Sequence, residues 1–214
     1  MKNLVLIAFC FVFSQSVFSQ EIALLKYNGG GDWYANPTAL PNLVNFCNAN
    51  IKTKISNKIP TVQVGSSSLF DYPFVHMTGH GNVEFNEAET INLRKYLPNG
   101  GFLHIDDNYG MDKYIKREIK KLFPNHELTP LGANHSIFKA PFLFQDGLPK
   151  IHEHDNKPPQ AFAIIIDNRI VLLYTNETDL GDGWENPEVH NNPESVRKKA
   201  LQMGANIINY AFTN

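Results

Sequence analysis

The chain is predicted to be an α/β protein, a mostly parallel sheet flanked by helices in three layers, with a β-hairpin in its C-terminal third. Three observations predict this. Short, strongly apolar runs alternate with segments whose apolar residues recur at helical spacing. Alternation of that kind implies crossover units, hence parallel strands covered on both faces. The last third breaks the rhythm with two β-rich runs separated by a turn.

The elements follow in order. Ile22 to Tyr27 reads as a strand, and Leu40, Leu43, Val44 and Cys47 form a helical stripe. Thr61 to Val64 and Phe74 to Thr78 read as further strands. Asn86-Glu87-Ala88-Glu89 has a capping residue followed three positions later by a glutamate, the start of a helix leading to Leu97. Gly101 to Ile105 is the next strand, and Met111 to Phe123 the next helix. Phe162 to Asp167 and Ile170 to Thr175 pair as a hairpin about Asn168, which should extend the sheet at one edge and bring residues 178–184 towards the carboxyl ends of the strands. Asn192-Pro193 offers a cap and a proline at the first helical position, and Val196, Ala200, Met203, Ile207 and Ala211 stripe a closing helix. The strands at Ile22, Phe74 and Gly101 are expected to be central and parallel.

Residues 1–19 read as a signal peptide. Lys2 supplies the charged start, Leu4 to Phe13 the apolar stretch, and Val17-Phe18-Ser19 a cleavage site before Gln20. The expected location is therefore exported, periplasmic or secreted, with residues 20–214 forming a single α/β domain. The apolar stretch is too short to span a bilayer, so no transmembrane segment is expected in the mature chain. Cys10 is not a lipidation site, because bulky Phe9 precedes it, and Cys47 is then the lone cysteine. One thiol excludes both an internal disulfide and a thiolate zinc site. A formal net charge of −2 with scattered signs excludes a nucleic-acid surface. The densest basic segment, Lys116 to Lys121, interleaves with Tyr114, Ile115, Ile119 and Leu122 as the wet face of an amphipathic helix.

The chemistry concentrates in Gly100 to Gly110, where an apolar strand runs into Asp106-Asp107-Asn108. Ligands of open α/β sheets bind in the crevice at the carboxyl ends of the strands. His104 and Asp106 lie two apart and share a face, while Asp107 points to the other face or begins the turn. Asp106 and Asp107 are the candidate catalytic carboxylates; either Asp107 or Asn108 could instead cap the next helix. His80, between Gly79 and Gly81 after a strand, is a candidate ligand, as are Asn82, Asn108 and Trp184. Candidate metal ligands are His80, His104, His152 and His154, a histidine and carboxylate set that also includes Glu153 and Asp155 and suits zinc, manganese or calcium. Asp179, Asp182 and Glu185 could wrap calcium or simply form a surface turn. Trp184, Trp33 and Tyr34 could offer a sugar platform or be core. His76 reads as a packed strand residue, His135 as a neighbour of the crevice, and His126 and His190 carry no pattern.

Gly29-Gly30-Gly31-Asp32-Trp33-Tyr34, Thr78-Gly79-His80-Gly81-Asn82, the Gly100 to Gly110 stretch, Gly147 to Asp155, Asp179 to Glu185 and Met203 to Ile207 together resemble the family catalogued as domain of unknown function 4159. The match spans nearly all of residues 20–214 and implies no established activity. More distantly the element order resembles the flavodoxin-like class I glutamine amidotransferases. That resemblance implies backbone donors at Thr78 to Gly81 and a nucleophilic cysteine after the strand of Gly101 to Ile105. Aspartates stand there instead, so thiol-based amide transfer is not expected. Two readings follow: a binding domain of the cell envelope whose crevice takes a small molecule, glycan or partner protein, or a hydrolase in which Asp and His groups, with a divalent metal, activate water at an amide, ester or glycosidic bond.

Overall fold

The computed structural model describes residues 20–214; the expected signal peptide lies outside them. The elements are β1 (Ile22–Lys26), α1 (Ala39–Asn50), β2 (Thr61–Gln63), β3 (Phe74–His80), α2 (Glu87–Tyr96), β4 (Phe102–Tyr109), α3 (Asp112–Leu122), β5 (Thr129–Pro130), β6 (Gln160–Ile166), β7 (Arg169–Asn176), α4 (Leu180–Trp184), α5 (Pro187–His190) and α6 (Glu194–Thr213). They build one seven-stranded sheet of order β2-β1-β3-β4-β7-β6-β5. The first five strands in that order are parallel, with β1, β3 and β4 at the centre as expected. Strands β6 and β5 run antiparallel at one edge. A parallel order of 2-1-3-4 followed by a fifth strand is that of doubly wound flavodoxin-like sheets.

The pleat divides the core into two. Ile22, Phe74, Phe102, Ala163 and Leu173 face α1, α4 and α6, while Leu25, Met77, Leu103, Ile105 and Leu172 face α2 and α3. Consecutive strand residues thus serve opposite layers, which is why the central strands are apolar on both faces, apart from the buried His76 and His104, up to the polar residues at their carboxyl ends. Cys47 is buried beside Leu43 and Val44, and burial pushes its thiol up to about 12, leaving it unreactive.

Local signals explain several boundaries. Asn86 and Glu89 form the expected capping box, Asn86 Oδ1 accepting from Glu89 N and Glu89 Oε2 from Asn86 N, a device worth about 1 kcal/mol. Asp167 and Asn168 both take positive φ, 50° and 62°, the two-residue hairpin turn that matches strand twist. Two expectations are corrected. Strand β4 does not stop at Ile105: Asp106 pairs with Thr175 of β7, so the ladder carries Asp106, Asp107 and Asn108 as strand residues and the turn comes at Gly110, φ 78°. Pro193 is the residue before α6 rather than its first helical residue.

Among the described residues no helix is long and apolar enough to cross a membrane.

Candidate active and metal-binding crevice

Chain direction decides where the crevice opens. The segments after β3 and β4 lead to α2 and α3 on one layer, and the segment after β7 leads to α4 and α6 on the other. Between β4 and β7 the connections therefore part, leaving a gap at the carboxyl ends, the position where such sheets bind ligands. A crevice of about 190 Å³ sits there, lined by Asp107, Tyr109, Asp112, His154, Asp155, Lys157, Asn176, Glu177 and Asp179.

The two central aspartates occupy opposite faces, as the period of two requires. Asp106 lies on the α4 side and is completely buried. Its Oδ2 accepts from Gly181 N at 2.7 Å and its Oδ1 lies 2.5 Å from Thr175 Oγ1. Burial, only partly offset by these bonds and reinforced by the Asp182 and Asp107 charges, pushes its carboxyl up to about 7. With no exposed surface and both oxygens engaged, Asp106 does not open onto the crevice, which corrects its expected role. Asp107 lies on the α3 side, accepting from Met111 N at 3.0 Å, just before α3, and from Tyr174 Oη at 3.2 Å. It ties down the start of that helix and still lines the crevice. Burial raises its carboxyl too.

His104 and Trp184 are core residues. His104 shares the α4 face with His76; their Nδ1 atoms stand 3.1 Å apart, and His104 Nε2 lies 3.1 Å from Thr175 Oγ1. Burial lowers His76 to about 3 and His104 well below the usual imidazole range, so both rings are neutral. Trp184, fully buried, packs its ring on both imidazoles and donates Nε1–H to Ala200 O at 2.8 Å. Neither ring reaches solvent, so the structure does not bring His104 or Trp184 to the crevice.

His80 and Asn82 stand on a neighbouring rim. Exposed His80 pairs through Nδ1 with Asp32 Oδ2 at 3.0 Å, and Asn82 spans Gly29 O and Arg117. A Cβ on Gly31 would sit 2.7 Å from His80 O, so this glycine permits close packing of the two loops. Asn108 is buried: its Oδ1 accepts from Thr78 Oγ1, and its amide donates to Asn36, which bonds Asp182. His135 caps a turn and packs on Tyr210, whose hydroxyl meets Ile170 N at the amino end of β7; it is remote from the crevice, against expectation.

His152 and His154 do converge with carboxylates. His154 Nε2 lies 2.5 Å from Asp179 Oδ2, and His152 Nδ1 lies 3.1 Å from Asp182 Oδ2 and 3.8 Å from Asp179 Oδ2. His190, without a sequence pattern, joins them with Nε2 3.4 Å from Asp182 Oδ1. The loop that presents His152 is held by Ile151 N and His152 N, both donating to Thr178 O. Among the described residues two groups bring three ligand atoms within 4.8 Å of one another: His152, His154 and Asp179, and His152, Asp182 and His190. Glu153 and Asp155 take other partners, Asn156 N and Lys157. Of the two readings of residues 179–185, neither a calcium loop nor a surface turn describes them: residues 180–184 are helical and buried, and Glu185 Oε1 accepts from Thr38 rather than joining Asp179 and Asp182.

Asp179 is the carboxyl raised furthest above its ordinary range. Burial first, then the charges of Asp106, Asp182 and Asp107, push its carboxyl up to about 9. Its Oδ1 is buried with no hydrogen-bond partner. Sequence reasoning placed Asp179 in a segment that could wrap calcium or form a surface turn; its burial depends on α4 docking, which no local pattern announces.

No curated protein matches the chain. The model of the family described as Domain of unknown function (DUF4159) matches residues 21–212, nearly all of the described fold, and the chain belongs to that family.

Proposed function

We propose that the protein is an exported ligand-binding domain whose crevice beside β4 and β7 takes a small polar molecule through a positively charged group. One observation carries the reading. Asp107, Asp112, Asp155, Glu177 and Asp179 converge on one small crevice; Lys157 in its lining and Lys116 and Lys150 beside it pair with Asp112, Asp155 and Glu177, which leaves Asp107 and Asp179 without a lysine partner among the described residues. Carboxylates partly removed from water attract a cation more strongly than exposed ones do. Tyr109, stacked on His154 with ring centroids 4.4 Å apart, supplies an apolar wall for the remainder of such a ligand. Amino sugars and short basic peptides of the cell envelope have that chemistry. Calorimetric titration with both classes tests it: binding is expected to weaken about tenfold in Asp112→Asn, which removes one lining charge. Binding of anionic compounds alone would contradict the reading. Cleavage of the exported chain before Gln20 is the companion expectation, read by amino-terminal sequencing.

Hydrolysis is the second reading, and Asp107 favours it because its carboxyl lines the crevice beside the Tyr174 hydroxyl with its pKa raised by burial. Turnover of a chromogenic ester or glycoside that disappears in Asp107→Asn would establish it.

A further inference from the structure

We infer that His152, His154 and Asp179 form a zinc site at the wall of the crevice, with Asp182 beside His152 and His190 holding Asp182. This rests on the crevice reading for its setting and names the cation held there.

Geometry supports it first. Ligand atoms 2.0–2.2 Å from a tetrahedral zinc ion stand about 3.3 Å from one another. The His154 to Asp179 and His152 to Asp179 separations, 2.5 and 3.8 Å, bracket that spacing. The three side chains come from two segments, residues 151–154 and the residue preceding α4, brought together by the backbone bonds to Thr178 O. The second triplet shares His152 with the first. Asp179 Oδ2 and Asp182 Oδ2 both face His152 Nδ1, so the two triplets share one ligand nitrogen and describe a single site. Asp182 is already engaged by Asn36 Nδ2 at 2.8 Å and lies 3.4 Å from His190 Nε2, contacts that hold it beside that nitrogen.

A second observation concerns the buried member of the cluster. Asp179 is only 1% exposed, and its Oδ1 has no partner of any kind. A buried carboxylate oxygen is ordinarily bonded, and an orphan one carries a desolvation cost that a bound cation removes. The side chains of His152 and His154 are 46% and 21% exposed, so the ion has a path in from solvent.

The donor set selects the metal. Imidazole nitrogens with carboxylate suit zinc, whereas calcium takes shells of oxygen. Three protein ligands leave a fourth position for water or for a crevice ligand.

The test is equilibrium dialysis of the whole chain against zinc, manganese or calcium chloride, followed by desalting, elemental analysis and thermal melting. One zinc per chain and a raised melting temperature are expected, with calcium retained at least tenfold less. His154→Asn, a partly exposed position, should lose the zinc and its thermal shift while melting with the metal-free wild type. His190→Asn should weaken zinc about tenfold, as loss of a positioning partner does. Asp179→Asn should also lose zinc, but His154→Asn decides the matter if that variant folds poorly. Wild type that retains no stoichiometric zinc, or His154→Asn that retains it fully, would overturn the site. Titration of the amino sugar or basic peptide into chelator-treated protein separates the two readings: binding there without zinc retention sinks the metal and spares the crevice, and zinc retention without ligand binding does the reverse.

Discussion

The molecule holds two facing pairs of histidines in opposite surroundings. His76 and His104 come from adjacent parallel strands, sit under Trp184 and are 1% and 0% exposed. His152 and His154 come from a loop, face Asp179 and Asp182, and meet solvent. Both pairs lie on the α4 side of the sheet, one beneath that helix and one at its start. The difference shows that residue type alone does not make a ligand. Under Trp184 the rings answer each other and Thr175, so burial without a nearby counter-charge keeps them neutral. Beside α4 the partners are carboxylates; each region holds one buried unpartnered atom, His76 Nε2 under Trp184 and Asp179 Oδ1 beside the open pair.

Truncation should separate the pairs most strongly. His104→Ala strips His76 Nδ1 of its partner, removes one of the contacts of Thr175 Oγ1 and opens space beneath Trp184. We expect a loss of about 2–4 kcal/mol, from a cavity and unpaired buried polar groups together, in urea unfolding. A loss below about 1 kcal/mol would mean that the buried pair is not structural.

The pH dependence sharpens the contrast. Unfolded histidines bind a proton below about pH 6.5, whereas folded His76 does so only near 3. The unfolded state therefore holds more protons between those values, and stability falls on acidification by up to about 1.4 kcal/mol per pH unit for each ring. Asp106 works in the other direction. Its folded value, about 7, exceeds the unfolded one, so its contribution is lost as pH rises from about 4 through 7. Asp106→Asn mimics the protonated carboxyl and removes this opposing slope. The variant should melt at or above the wild type at pH 8 and lose stability more steeply between pH 6.5 and 4. Parallel melting curves against pH would show that Asp106 does not titrate in this range.

The smallest effect should come from the open side. Tyr109 is 50% exposed and touches His154 by stacking alone. Tyr109→Ala should cost at most about 1 kcal/mol in unfolding while weakening crevice binding, and a larger stability loss would make that wall structural.

What was legible in the sequence follows from local periodicity. The period of two put Asp106 and Asp107 on opposite faces, and the capping box marked α2. What was not legible depends on docking. Residues 179–185 contain Gly181 and Gly183, which suggest a turn on helix propensity. The glycines serve packing instead: a Cβ on Gly183 would lie 2.3 Å from the Ala200 Cβ, so α6 can press α4 against the sheet and bury Trp184. That same docking buries Asp179, 25 residues from the histidine it meets, and brings in His190 from α5. No spacing rule reaches across such separations.

One measurement reads both pairs at once: nitrogen-15 imidazole spectra of the full chain between pH 5 and 8, without and with one equivalent of zinc. Resonances of His76 and His104 should stay in the neutral form throughout and ignore zinc, while those of His152, His154 and His190 should move on its addition. A His104 signal that titrates near pH 6.5 or shifts with zinc, or crevice signals that do not respond to the metal, would contradict the division between a structural pair and a ligand-holding one.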